Sequence, residues 1–337
     1  MSNNNDNNKI MNGQFYTTVN PFNLSIFDQW MDLFYNENII FLEPFAGSCN
    51  ICEMIKTMDN YSNNNWACYD IDPPEVENYE IVQQDTINNF PQGFSVAITN
   101  PPYLGKSSAS RKGIPFPNTK YDDLYKLSLD VMLKNLDYVA AIIPESFATA
   151  NLFHNRLYAL ISLTCRMFDD TECPVCLALF VKKEDKQNCG LEENDFFIYR
   201  QNQYINKYLQ IKDLLITSSY NEIKWKTNDP NGSIGIKCVD NTKGNSIEFV
   251  LGDEIPSSSI KVSSRSFTRI SGLPQNIDIN DFIERCNQKL NEYRSATFDI
   301  FLTSFKGLRE DNLYRRRLDF STAKNIMNLV MEDIENE

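Results

Sequence analysis

The tetrapeptide Asn100-Pro101-Pro102-Tyr103 follows the apolar run Val96 to Thr99 and combines an amide, two prolines and an aromatic ring. The prolines fix φ and remove two backbone donors, so the Asn100 side-chain oxygen and the Pro101 carbonyl can be aimed at one point. Such a pair of acceptors suits an exocyclic NH2 group. It holds both hydrogens and keeps the nitrogen lone pair free to attack a methyl group, with the Tyr103 ring stacking on a base. A plain Pro-Pro turn accounts for the prolines but not for the amide and ring that flank them.

Other strand ends supply company. Glu43-Pro44-Phe45-Ala46-Gly47 follows an apolar run and opens a helical stretch, the kind of small turn where an open α/β sheet binds an adenosine-type ligand. Asp70, ending Trp66 to Asp70, lies about 20 residues further on, the spacing at which an acid reaches a ribose hydroxyl. Asp85 closes the next run in Gln84-Asp85-Thr86. Taken singly, each acid reads most simply as a solvated loop residue; three strand ends in register on one sheet edge form a stronger pattern.

The elements that must position these residues follow from the apolar pattern. Short apolar runs at Ile39 to Leu42, Trp66 to Tyr69, Tyr79 to Val82, Ser95 to Thr99 and Tyr138 to Ile143 predict buried parallel strands. Asp122 to Asn135 predicts a helix packed on them. Thr164 to Phe168 and Pro174 to Val181, joined by Asp169 to Glu172, predict an antiparallel hairpin at the sheet edge, and the charged stretch Lys182 to Glu193 reads as a linker. Beyond it, Glu222 to Lys226, Ser233 to Val239 and Ser246 to Leu251 predict a small β-meander, with helical sequence from Asp278.

Composition bounds the remaining possibilities. The 337 residues carry 45 acidic and 32 basic side chains, a formal net charge of -13, which excludes a uniformly basic nucleic-acid binder but not a local basic patch. Two C-x-x-C pairs, Cys49/Cys52 and Cys173/Cys176, have a spacing that metal sites use. With His154 the single histidine and the second pair in an apolar run, reduced thiols and no metal are expected. Residues 1–12 are Asn-rich and predict a disordered leader, and no stretch has the roughly 20 apolar residues of a membrane span, so a cytoplasmic protein without membrane contact is expected.

The motifs together resemble the amino-group DNA methyltransferases that use S-adenosylmethionine, in particular the adenine-N6 enzymes with donor motifs first and recognition domain last. The resemblance covers roughly Gly13 to Lys183. Gly13-Gln14-Phe15-Tyr16-Thr17 resembles the segment that touches the donor, and Glu43, Pro44, Ala46 and Gly47 the donor-binding turn. Asp70 with Ile71 resembles the ribose-binding end, Asp85 with Thr86 the adenine-binding end, and Asn100 to Tyr103 the catalytic tetrapeptide. Asp123-Leu124-Tyr125, Ile142 to Ser146 and Phe168 with its hairpin follow in the family's order. Cys49 and Thr18 depart from it, where glycine and proline are common.

The resemblance implies a Rossmann-like, mostly parallel α/β sheet with an antiparallel edge hairpin. It places a catalytic domain at 13–185, binding S-adenosylmethionine through Gln14, Phe15, Tyr16, Thr17, the three strand ends and Asn100, and an α+β recognition domain at 186–337. It implies methyl transfer to adenine N6 of a flipped-out base in double-stranded DNA, in a restriction-modification or phage/host modification context, with any restriction endonuclease on a separate chain. Phe168 is a candidate to pack on the flipped base, although a core role also fits it. Twelve Lys/Arg balance twelve Asp/Glu from Ile255 to Glu337. Within that stretch Lys306, Arg309, Arg315, Arg316 and Arg317, with Arg265 and Arg269 on a Ser-rich segment, are the candidate DNA contacts; a solvated helix face is the alternative. Cytosine N4, adenine in RNA and protein glutamine carry the same NH2 chemistry, and a non-catalytic donor- or DNA-binding subunit is a further alternative.

Overall fold

The first strand, β1 (Ile40–Glu43), is four residues long and buried over the last three, because both its faces are covered. It pairs in parallel with β2 (Asn65–Asp70) and β4 (Val96–Thr99); β3 (Ile81–Gln83) pairs with β2, and β5 (Tyr138–Pro144) with β4. A computed structural model describes residues 17–36, 38–164, 167–168, 173–212 and 217–337. The expected leader, Gln14, Phe15, Tyr16 and the turn at 169–172 lie outside the described residues.

The five expected strands are present within a few residues of their predicted bounds, and all run parallel. Next to β5, β7 (Val175–Phe180) runs antiparallel and separates it from β6 (Leu157–Ser162), giving the order β3-β2-β1-β4-β5-β7-β6-β8-β9. The fold is therefore mixed α/β, parallel from β3 to β5 and mostly antiparallel beyond, where only β6 and β8 pair in parallel. Two expectations need correction. The hairpin's first strand is β6 rather than Thr164 to Phe168, and the hairpin is not the edge, because β8 (Phe197–Arg200) and β9 (Gln203–Lys207) extend the sheet past it.

Helix α1 (Ser25–Met31) precedes β1, and α2 (Asn50–Lys56), α3 (Lys106–Lys112) and α4 (Leu124–Asn135) lie between these strands. The indole of Trp30 on α1 donates to the Phe180 carbonyl at 3.0 Å. Helix α4 starts at Asp123, whose carboxylate accepts the Tyr125 N–H at 3.4 Å, an ordinary N-cap. The expected linker is instead ordered around α5 (Lys183–Asn188). Lys186 there is 1% exposed, and its ammonium donates to the carbonyls of His154 and Glu193, so a charge pattern typical of a solvated linker folds onto the sheet. Desolvation lowers the Lys186 pKa to about 8.

The chain divides into two compact units, 1–207 and 208–337. In the second, β10 (Lys226–Thr227), β11 (Ile234–Lys237), β12 (Glu248–Leu251) and β13 (Phe267–Ser271) form an antiparallel sheet in the order β10-β13-β11-β12. β11 and β12 match the second and third strands of the predicted meander, whereas β10 shares only Lys226 with the predicted Glu222 to Lys226, and β13, which was not predicted, lies between β10 and β11. Helix α6 (Ile279–Thr297) begins where helical sequence was predicted, and Asp278 caps it, its side chain accepting two backbone N–H groups. The Asn287 amide on α6 bonds both the N–H and the carbonyl of Phe249 at 2.8 Å, in place of a neighbouring strand on that edge. The hairpin of β14 (Thr303–Leu308) and β15 (Tyr314–Arg317) and the final helix, α7 (Phe320–Glu335), complete the unit. No helix among the described residues is long and apolar enough to cross a membrane.

Candidate active site

At the carboxyl end of β1 the backbone turns through Gly47, with φ at 46°, and Cys49, with φ at 57°, before entering α2. Both residues occupy the left-handed region, which glycine takes freely and cysteine only with strain. That requirement gives the physical meaning of the departure at Cys49. The turn is held from β2: the Ala46 N–H donates to the Tyr69 carbonyl and the Gly47 N–H to Asp70 Oδ2, both at 2.8 Å. Asp70 is 4% exposed and its other oxygen accepts the Asp72 N–H at 2.9 Å.

The next strand end braces the same turn. Thr86 is buried and its hydroxyl donates to the Pro44 carbonyl at 2.8 Å. Asp85 receives the backbone N–H groups of Ile87 and Asn88 and the Asn88 side chain, closing its loop on itself. Glu43 is 1% exposed and accepts from the Thr99 hydroxyl and from the Phe45 N–H. Burial pushes its carboxyl well above the ordinary range, and its bond to Thr99 links β1 to β4.

These ends surround one cavity of about 360 Å³. Of the expected residues, Thr17, Glu43, Ala46, Gly47, Asp70, Ile71, Asp85, Thr86, Asn100 and Pro102 line it. Phe45, Asn50, Ile51, Ile87, Leu104 and Leu124 complete the apolar and polar wall. Ile114, Pro115 and Pro117 also line it; the sequence reading passed over this Gly-Ile-Pro-Phe-Pro loop, although proline punctuation directly after the tetrapeptide was a signal.

Thr17 ties three parts of the site together. Its hydroxyl accepts from the Asn100 amide at 3.3 Å and its carbonyl from Asn50 on α2 at 2.9 Å. It also bridges antiparallel to Phe168, next to a bond from the Thr18 N–H to the Met167 carbonyl at 3.0 Å.

Tyr103 differs from its expected role as a stacking ring. It is 9% exposed and absent from the cavity wall, with its ring edge-on to Tyr125 and Phe168 at 6.3 and 6.1 Å. Its oxygen lies 2.6 Å from both Asn100 Oδ1 and the Ile142 carbonyl. A hydroxyl carries one proton, so it cannot serve both acceptors fully at once. Phe168 is 0% exposed, a core residue in this state.

The basic residues of the second unit fall into two groups. Arg309 and Arg316 are 8% and 5% exposed: Arg309 forms a two-point pair with Asp311, and Arg316 donates to Ser304. Both are committed to the fold, contrary to expectation, because Asp240, Asn245 and Arg294 build a buried polar cluster beside them. Arg294 bonds both oxygens of Asp240, at 3.0 and 2.8 Å, and both of Asp299. Arg269 is half-buried on the carbonyls of Ile255 and Pro230. Arg315 is half-buried, 5.1 Å above the Phe305 ring, with its Nε on the Asp240 carbonyl. Arg317 is half-buried and Arg265 is exposed. The Lys306 side chain lies outside the described atoms.

No family model matches the chain, and no curated protein matches it. Among solved structures, the methyltransferase subunit of a type I restriction-modification system from Streptococcus thermophilus is similar over 60% of this chain and 52% of its own, at 17% identity and a TM-score of 0.37. The M protein of the type I restriction enzyme EcoKI is similar over 55% and 46%, at 13% identity and a TM-score of 0.35. A DrdV–DNA complex is similar over 59% and 29%, at 13% and 0.44. The chain thus spans about half or less of the length of these structures. Similarities of this size decide nothing about activity, and the architecture stands on the chain's own strand order.

Proposed function

We propose that the first unit is an S-adenosylmethionine-dependent methyltransferase that acts on the exocyclic amino group of adenine in double-stranded DNA. The observation that carries this reading is the convergence of four strand ends on one cavity: the Gly47 turn, Asp70, Asp85 and Asn100 with Pro102. Its volume lies in the range of small-molecule sites, and its wall pairs apolar Ile51, Ile71 and Ile87 with the acids Asp70 and Asp85, a lining that fits an adenosine-type molecule. Asp70 would hold the ribose hydroxyls, and the Asp85 loop with Ile71 and Ile87 the adenine. Gln14, Phe15 and Tyr16 remain candidates for the same donor on the strength of the motif. When bound, S-adenosylmethionine supplies an electrophilic methyl group.

The chain's own contribution is orientation. Asn100 accepts hydrogens from the target amine, and the Pro101 carbonyl, fixed by two prolines, accepts another. These dipoles favour the positive charge that grows on nitrogen. Tyr103 and Thr17 hold the Asn100 amide. No strong base is required before attack, in keeping with a site whose walls carry no histidine among the described residues. Recognition of DNA is assigned to the second unit, through Arg265, Arg315 and Arg317, in a restriction-modification or phage/host modification setting where any endonuclease is a separate chain.

Incubation with labelled donor and mixed DNA, followed by identification of the modified base, tests the reading. N6-methyladenine at one short sequence supports it; label confined to protein or to cytosine overturns the substrate. Asn100→Ala should lower turnover by about 10²-fold while leaving donor affinity intact.

A further inference from the structure

Three cysteines meet beside the Gly47 turn. Cys49 stands at the start of α2, Cys52 one turn along it and Cys68 on β2, and their sulfurs all lie within 4.8 Å of one another, with Cys52 and Cys68 at 3.7 Å. The sequence suggested only the C-x-x-C pair; β2 brings the third sulfur. Exposures are 0%, 0% and 3%. No other His, Cys, Asp or Glu among the described residues joins the group.

Packing alone explains buried cysteines, since a thiol is a small apolar group. It does not explain a cysteine at φ 57°, where glycine would sit without strain and where strain persists only if the surroundings require it. Nor does packing require three sulfurs to converge at metal-ligand spacing. Metal–sulfur bonds of about 2.3 Å put sulfurs about 3.8 Å apart in a tetrahedral site and about 4.0 Å apart in a trigonal one. The observed separations need only small side-chain adjustments to reach either.

We propose that Cys49, Cys52 and Cys68 form a three-sulfur site for a soft metal ion, of the kind that Cu(I) exemplifies. A closed zinc site takes four protein ligands, and the group offers three; soft thiolates with a low coordination number select Cu(I). Access exists, because Cys68 also lines a surface depression of about 400 Å³ together with Lys56 and Tyr79. The Lys56 ammonium lies 4.3 Å from the centre of the Tyr79 ring there. On binding, each ligating thiol releases its proton to solvent as its sulfur–metal bond forms, and copper remains Cu(I), so nothing is oxidised or reduced. The bound ion ties α2 to β2 next to the Gly47–Asp70 contact. This site goes beyond the proposed methyl transfer and does not depend on it.

The test is an anaerobic titration of the reduced full chain with Cu(I) against a coloured chelator, followed by X-ray absorption. One ion per chain with three sulfur neighbours near about 2.3 Å is expected. Cys68→Ser and Cys52→Ser should each weaken binding by about tenfold or more, whereas Cys189→Ser should not. Circular dichroism checks that the variants fold, and the wild-type sulfur count stands if one does not. Two sulfurs or nitrogen and oxygen ligands around copper, unchanged affinity in folded Cys68→Ser, or preferential Zn(II) binding at four ligands would each overturn the assignment.

Discussion

The Tyr103 hydroxyl lies 2.6 Å from the side chain of Asn100 and 2.6 Å from the Ile142 carbonyl, so the Asn100 amide is oriented from β5. Tyr103→Phe keeps the ring and its edge contacts but removes this link. Turnover should fall about tenfold, equivalent to one hydrogen bond's net worth, with the KM for donor unchanged. Steady-state kinetics decide; wild-type turnover would mean that Asn100 orients without Tyr103.

Asp70 has two tasks, and Asp70→Asn separates them from simple charge loss. Asparagine has one acceptor oxygen for two backbone N–H groups, so either Gly47 or Asp72 loses its partner. Stability should fall by about 1–3 kcal/mol, and donor binding should weaken in calorimetry. Unchanged affinity at reduced stability would confine Asp70 to bracing the turn.

The second unit should be sensitive at its buried ion pair. Arg294 is 5% exposed and neutralises Asp240, which is 0% exposed. Burial alone would raise the Asp240 pKa, but the Arg294 bonds and the N–H groups of Ser246 and Ile247 outweigh it and hold it below the ordinary value. Arg294→Met should cost about 3–5 kcal/mol in denaturant unfolding, and Arg294→Met with Asp240→Leu should recover part of it. A double variant as unstable as the sum of the singles would deny the coupling.

DNA binding offers a contrast within one set of arginines. Arg265→Ala should weaken binding uniformly and lower the salt slope by about one, leaving the melting temperature unchanged. Arg309→Ala and Arg316→Ala should instead lower the melting temperature, because their side chains belong to the core of the hairpin. Fluorescence anisotropy at several salt concentrations, paired with thermal melts, distinguishes the two classes; equal effects would merge them.

His154 gives a pH readout because it is the single histidine in the chain. Burial, and then the nearby charge of Lys186, lowers its pKa from 6.5 to about 4. Between these values the unfolded chain binds a proton that folded His154 refuses. Its contribution therefore favours the fold above the upper value and is lost as pH falls through the window. Proton NMR should show the imidazole titrating near the lower value, and His154→Gln should remove this part of the acid sensitivity. Titration near 6.5 in the folded protein would contradict it.

Legibility in the sequence followed the range of the interactions. The strand ends at Glu43, Asp70, Thr86 and Asn100 were readable because apolar runs and turn residues encode them locally. The onset of helical sequence at Asp278 was readable for the same reason. What failed was set by distant partners. Lys186 reads as linker until His154 and Glu193 supply carbonyls, and Arg316 reads as a phosphate contact until Asp240 and Ser304 claim it. Tyr103 points away from its expected face because Ile142, on another strand, takes its hydroxyl. Cys68 joins Cys49 and Cys52 only through the register of β2 on β1.

The bridge between Thr17 and Phe168 also bears on when the cleft becomes complete. The Thr18 hydroxyl reaches the Met167 carbonyl across 149 positions of chain, and the Thr17 hydroxyl sits on Asn100. Closing so long a loop is entropically unfavourable until the strands between are in place. The central strands can therefore assemble before Thr17 docks, and support for the Asn100 amide arrives among the last steps of folding. On the ribosome, a nascent chain that has emerged only as far as β5 would hold the Gly47 turn but not the bridge from Thr17 to Phe168.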